Sequence, residues 1–111
     1  DAAQTAQAFY DLYLEASSRR NLLASGAYRD MPFLTAEFVA QVDEIIAGFD
    51  QGGYDPFLLA QDLPSEMRVQ SAEVQGDAAQ VVVQSSLGHR VVVRLVARDG
   101  QWWIHGIAPQ A

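Results

Sequence analysis

The side chains of this sequence whose types and spacing suit chemistry fall in two stretches. The first is Gln61-Asp62-Leu63, a carboxylate between an amide and an apolar side chain just ahead of the strand-rich half. Burial in a half-apolar site raises a carboxyl pKa toward the range of a general base. Asp62 is therefore the candidate base for proton abstraction. The second stretch holds Arg94 and His105, on two apolar runs joined by Asp99-Gly100. An arginine fork with a histidine beside it binds carboxylate or phosphate, and the histidine adds a pH-dependent donor. Each candidate also has a structural reading. Asp55 caps a turn, and Gln61 and Asp62 satisfy backbone donors around it, while Arg94 and His105 lie on a sheet face at the surface or against a second copy of the chain. His89, beside Gly88, reads as a loop histidine.

Other chemistries lack their residues. Two histidines without a paired acidic ligand make no zinc site. Asp50, Asp55 and the glycines between them lack the alternating oxygen ligands of a calcium loop. Ser85 and Ser86 lie near His89, but nearness along a turn is not triad geometry, and no G-x-S-x-G or phosphate loop occurs. The absence of cysteine removes disulfides, thiolate nucleophiles and thiolate-bound metals. No cofactor motif is present.

These residues depend on the elements that carry them. Asp99-Gly100 between apolar runs is a type I′ hairpin signal, because both central residues of that turn need positive φ. Counting outward pairs Ala97 with Trp102, Leu95 with Ile104 and Val93 with Gly106 on one apolar face, the core. The other face pairs Val96 with Trp103, Arg94 with His105 and Val92 with Ile107. Exposing Val92, Val96, Trp103 and Ile107 leaves a large apolar patch on a monomer, so these four are interface candidates and a homodimer through the outer sheet face is expected. Adjacent Trp102 and Trp103 point to opposite faces and form no stacking platform.

Upstream, Met67–Gln75 and Ala78–Ser85 read as strands around the Gly76-Asp77 turn signal. Val81 and Val83 share the core face with Val93 and Leu95 only if the Ser86–His89 connection holds a bulge or an odd number of residues, and a bulge is expected. Residues 2–20 place Ala6, Phe9, Tyr10, Tyr13 and Ala16 at helical spacing, ending near Arg19-Arg20, where cations favour a helix C-terminus. Asn21–Phe33 reads as a connector broken by Gly26 and Met31-Pro32. Thr35 is an N-cap for a helix with Phe38, Val42, Ile45, Ile46 and Phe49 on one face, stopping in the run Asp50–Gly53. Asp55-Pro56 opens a single helical turn carrying Phe57, Leu58 and Leu59, and Leu63-Pro64 forces an extended exit. The fold class is α+β: N-terminal helices on one face of a four-stranded antiparallel meander, in one domain spanning residues 1–111.

Charge narrows the partners. Of the 111 residues, 14 are acidic and 7 basic, for a net charge of −7, which disfavours nucleic acid. Residues 1–66 hold eleven acids against three arginines, whereas residues 67–111 hold three acids against four, so the helical half is the acidic one. No Lys- or Arg-rich membrane helix is present, and a membrane role is expected only through an anchor preceding Asp1.

With these elements the chain resembles the nuclear transport factor 2-like, or cystatin-like, superfamily, whose helices pack into a curved sheet to make a cone. More narrowly, it resembles a bacterial family of unknown function found in exported proteins and lipoproteins. The residues that carry this are Phe33-Leu34-Thr35, Asp55-Pro56-Phe57 with Gln61-Asp62, and Asp99-Gly100-Gln101-Trp102 with Ile104 and Ile107. The resemblance implies an exported, periplasmic or cell-envelope location and carries no established reaction. The first expectation is accordingly a non-catalytic domain that binds a protein partner or small ligand. An isomerase, dehydratase or hydrolase using Asp62 inside the cone is the alternative. An inhibitor or immunity partner acting through the acidic helical half is the third reading.

Overall fold

The computed structural model describes residues 1–49 and 53–110. Its elements are α1 (Ala2–Ser17), α2 (Leu22–Ser25), a 3-10 turn (Ala27–Asp30), α3 (Ala36–Ala47), β1 (Met67–Gln75), β2 (Ala78–Ser85), β3 (Arg90–Arg98) and β4 (Gln101–Pro109). The strands form one antiparallel sheet in the order β1-β2-β3-β4, the predicted meander.

The Asp1 carboxylate caps α1 by accepting from the Gln4 amide at 2.8 Å. Ala6, Phe9, Tyr10 and Tyr13, three or four residues apart, form its fully buried face; each large side chain contributes about 1.5–3 kcal/mol of apolar burial. Gln7 ties this helix to the sheet edge. Its amide nitrogen donates to the Met67 carbonyl and its oxygen accepts from the Val69 amide, both at 2.9 Å. The edge of β1 is thereby partly covered, and the strand bulges just beyond, between Val69 and Ser71.

The connector at residues 21–33 is more ordered than its broken periodicity suggests. The Asn21 side chain accepts from the amides of Leu23 and Ala24 and opens α2, and Gly26, at φ 77°, closes it. The 3-10 turn then buries Tyr28, whose hydroxyl donates to Asp43 of α3. Thr35 caps α3 as predicted, accepting from the Phe38 amide at 3.1 Å. Phe38 and Val42 are buried, whereas Ile45, expected on the same face, is exposed. The helix ends at Ala47 with Gly48 as its C-cap. The expected stop at 50–53 lies, for residues 50–52, outside the described residues.

Asp55 begins a closed turn rather than a helix. Its carboxylate accepts from the Phe57 and Leu58 amides at 2.8 and 3.2 Å, its carbonyl accepts from the Leu59 amide at 2.7 Å, and its amide donates to the Ala60 carbonyl. The turn delivers Phe57 and Leu58 into the core fully buried.

The β2–β3 connection has an odd length in place of the expected bulge, and the register between the strands does not shift. Gln84 pairs with Arg90, and the Ser85 amide donates to the His89 carbonyl, leaving three residues at the tip. Val81 and Val83 therefore share the buried face with Val91, Val93 and Leu95.

The β3–β4 hairpin keeps its predicted register near the turn, with Ala97–Trp102, Val96–Trp103 and Leu95–Ile104 paired, and then slips. Arg94 pairs with Gly106 and Val93 with Ile107, so His105 is the extra residue of a bulge. The cause lies outside the hairpin. The Ile104 amide donates to the Phe33 carbonyl and its carbonyl accepts from the Thr35 amide, so residues 33–35 lie parallel to β4 across its open edge. His105 then turns toward Thr35, their Nδ1 and Oγ1 atoms 2.9 Å apart. This corrects two expectations: Arg94 and His105 are not a cross-strand pair, and Ile107 packs against the core instead of the outer face.

Arg98 fastens the hairpin to α3 through a two-pronged pair with Glu37, at 2.8 and 3.3 Å. Hydrogen bonds from Arg98, then from the backbone at the helix start, hold the Glu37 carboxyl at about 2 against an ordinary 4.5. A carboxyl depressed on folding adds stability that is complete above its unfolded value and is lost as pH falls through about 2. A carbon-detected pH titration should give Glu37 a midpoint near 2 in the wild type, and Arg98→Gln should return it toward 4.5.

Candidate functional site

The interior is filled with aromatic rings. The Phe57 ring lies 4.9 Å from Tyr13, 5.6 Å from Phe9, 5.7 Å from Phe38 and 6.0 Å from Tyr28, centroid to centroid. The polar atoms that enter this core are matched: the Tyr10 hydroxyl donates to the Phe57 carbonyl at 2.7 Å, and the Tyr13 hydroxyl donates to Asp55 at 2.6 Å. Burial, then the Asp55 charge, pushes both phenols far above their ordinary range. Burial also raises the Asp55 carboxyl, outweighing the hydrogen bonds from Tyr13, Phe57 and Leu58 that pull it down. The carboxyl of this region with a perturbed environment is therefore Asp55, and its bonds are spent on the turn and on Tyr13.

Asp62, expected inside the cone, is exposed on the rim of an open cleft of about 650 Å³ between the end of α1 and residues 53–63. Arg20, Leu22, Phe49 and Tyr54 also line it. The half-apolar enclosure that suits a general base is not what surrounds Asp62, because residues 61–63 run exposed before the chain turns in at the buried Pro64. His89 is a loop histidine, and its Nε2 lies 2.8 Å from the Leu58 carbonyl, joining the β2–β3 tip to the Asp55 turn.

Arg94 and His105, separated in register, still line one groove. This second open groove, of about 490 Å³, is bordered by Gln41 of α3, Glu73 of β1, Gln80 of β2, Arg94 and Val96 of β3, and His105. Gly106 leaves room for this side chain: a Cβ there would stand 2.6 Å from the Arg94 Nη2 and 2.9 Å from its Nε, so that edge of the guanidinium faces the glycine. Sequence reading missed Gln7 as a fixing residue and the second role of Thr35, beyond its predicted cap, as the partner of His105. A glutamine within the apolar face of α1 was the available signal for Gln7; nothing local signals the Thr35–His105 contact.

The outer sheet face carries Val92, Val96 and Trp103 as expected, joined by Val82 and Ala108, all half-buried. The Trp103 indole nitrogen donates to the Arg98 carbonyl at 3.1 Å, which holds the ring against the hairpin. Among the described residues no three His, Cys, Asp or Glu side chains group as metal ligands, and no helix is long and apolar enough to cross a membrane.

No protein-family model and no curated protein matches the sequence. Among solved structures, the chain is similar to a chain of the selenomethionine crystal structure of the type VI effector–immunity complex Tae3–Tai3 from Ralstonia pickettii. The TM-score is 0.75 at 23% identity, over 100% of this chain and 97% of that one. It is also similar to a chain of the native form of the same complex, at TM-score 0.71 and 21% identity over 97% and 94% of the two chains. At these identities the likeness is one of fold: helices followed by a four-stranded antiparallel sheet, end to end.

Proposed function

We propose that this chain is a non-catalytic protein-binding domain of the effector–immunity kind, which associates with an effector protein and holds it inactive. The observation that carries the reading is the full-length fold likeness to a chain of the Tae3–Tai3 complex. The aromatic filling of the interior and the exposure of Asp62 support it, since the two concavities are open surface features suited to contact with another macromolecule. The acidic helical half is the surface assigned to the effector. The strip Val92, Val96 and Trp103 is assigned to a homodimer, because apolar side chains in one row on a sheet face gain by being covered. An exported, cell-envelope location belongs to the same reading, on the resemblance of Asp55–Asp62 and Asp99–Trp102 to exported bacterial proteins; periplasmic fractionation checks it.

The test is size-exclusion chromatography with light scattering, on the chain alone and mixed with purified effectors of its own bacterium. A complex with one of them is expected, weaker at 500 mM than at 50 mM salt because the contact is electrostatic. Trp103→Asp should halve the mass of the chain alone and leave effector capture intact. Failure of every effector to bind removes the effector reading; a wild-type mass already that of one chain removes only the dimer.

A further inference from the structure

The groove bordered by Arg94 and His105 holds a guanidinium that makes no hydrogen bond among the described residues. Arg98, Arg68, Arg29 and Arg19 are each paired with a carboxylate, and Arg90 donates to the Gln84 amide oxygen at 2.8 Å. Among the described residues Arg94, in the sheet, and Arg20, at the end of α1, have no such partner, and the Nε–Nη2 edge of Arg94 lies against Gly106. His105 is oriented as well. The Thr35 hydroxyl accepts from the Phe38 amide and lies 2.9 Å from His105 Nδ1, which fixes the ring's orientation. In the tautomer that takes the Thr35 proton on Nδ1, Nε2–H is the ring's free donor. Gln80 and Gln41 add amides at the border.

We propose that this groove is a receptor for one carboxylate, carried by a small organic acid or by an acidic side chain of another polypeptide. A planar guanidinium matches a planar carboxylate bidentately, and the imidazole N–H supplies a further donor. The charge count favours a monoanion over phosphate, because the groove holds one guanidinium with Glu73 on its border and the whole chain is at −7. The site is independent of the effector reading, but it shares Val96 and the outer sheet face with the strip assigned to the homodimer, so the chain is titrated as the Trp103→Asp variant as well as the wild type.

The test is an NMR titration of the full chain, following the Arg94 Nε–Hε and His105 ring signals. The probes are sodium propionate, N-acetylglutamate N-methylamide and inorganic phosphate, each against sodium chloride at equal ionic strength. Both signals should move saturably with the two carboxylates. Arg94→Gln should weaken binding at least tenfold, and Arg90→Gln should leave it unchanged. Gly106→Ala, which keeps the charge but displaces the guanidinium, should also weaken it. Tighter binding of propionate assigns the small acid, and tighter binding of the blocked glutamate assigns the side chain. Movement no greater than with chloride, undiminished binding by Arg94→Gln or Gly106→Ala, or phosphate binding tighter than both carboxylates overturns the proposal.

Discussion

Phe57→Ala is expected to destabilise the domain by about 3–5 kcal/mol, the range for truncating a fully buried aromatic ring. Phe57 has no exposed surface and packs against four other rings, from α1, the 3-10 turn and α3. Those rings are held by separate elements, so they cannot close together over the void at little cost. Set against a typical total of about 5–15 kcal/mol, the loss is a large share of what holds a domain of this size folded. Urea unfolding followed by near-ultraviolet circular dichroism measures it directly. A change under about 1 kcal/mol would mean that the ring is not the hub described here. The functional consequence follows from position: the Asp55 turn that carries Phe57 also forms a wall of the larger cleft and, through Leu58, anchors His89. Loss of the ring should therefore loosen that cleft before the sheet unfolds.

Asp55→Ala should cost about 2–4 kcal/mol, because it leaves the Phe57 and Leu58 amides and the Tyr13 hydroxyl without their acceptor. Asp55→Asn keeps the oxygen that accepts from the Phe57 and Leu58 amides but sets an NH2 against the Tyr13 hydroxyl, and should cost about 1–2 kcal/mol. The two substitutions together separate the capping hydrogen bonds from the charge and its bond to Tyr13. Burial raises the Asp55 carboxyl above its ordinary 3.8. A carboxyl raised on folding adds stability that is present in acid and is lost as pH rises through the folded value. The wild type should consequently lose some stability as pH rises from about 3.8, and Asp55→Asn should lack that slope. Glu37 acts in the opposite direction, its depressed carboxyl adding stability that is complete above about 4.5 and is lost as pH falls through about 2. A urea midpoint series from acid to neutral pH, on wild type and Asp55→Asn, distinguishes the two carboxyls. An identical pH slope in both proteins would sink the assignment to Asp55.

Much of the architecture was legible in local signals, for identifiable reasons. The 3.6-residue spacing of Ala6, Phe9, Tyr10 and Tyr13, the Thr35 cap, and the Asp99-Gly100 turn are each decided by residues within one or two turns of each other, and all appear where expected. The shared face of Val81, Val83, Val93 and Leu95 was also legible, although an odd-length connection sets it and not the expected bulge. The candidate site was less legible. Asp62 and Asp55 lie seven residues apart in one unusual segment, and no local pattern tells which carboxyl the chain buries. That depends on Tyr13, 42 residues away, offering its hydroxyl to Asp55.

The hairpin marks the same division most sharply. The chain by itself determined where β3 and β4 turn, and that Val92, Val96 and Trp103 share the outer face. Only the tertiary structure decided that His105 bulges, that Ile107 joins the core, and that Arg94 lies over Gly106. The physical reason is that residues 33–35 use the free edge of β4 through the Ile104 backbone and draw His105 toward Thr35, some 70 residues distant in the chain. Turn geometry sets register only as far as the strands answer to each other. Beyond Ile104 the strand answers to a third segment, and that segment placed the groove.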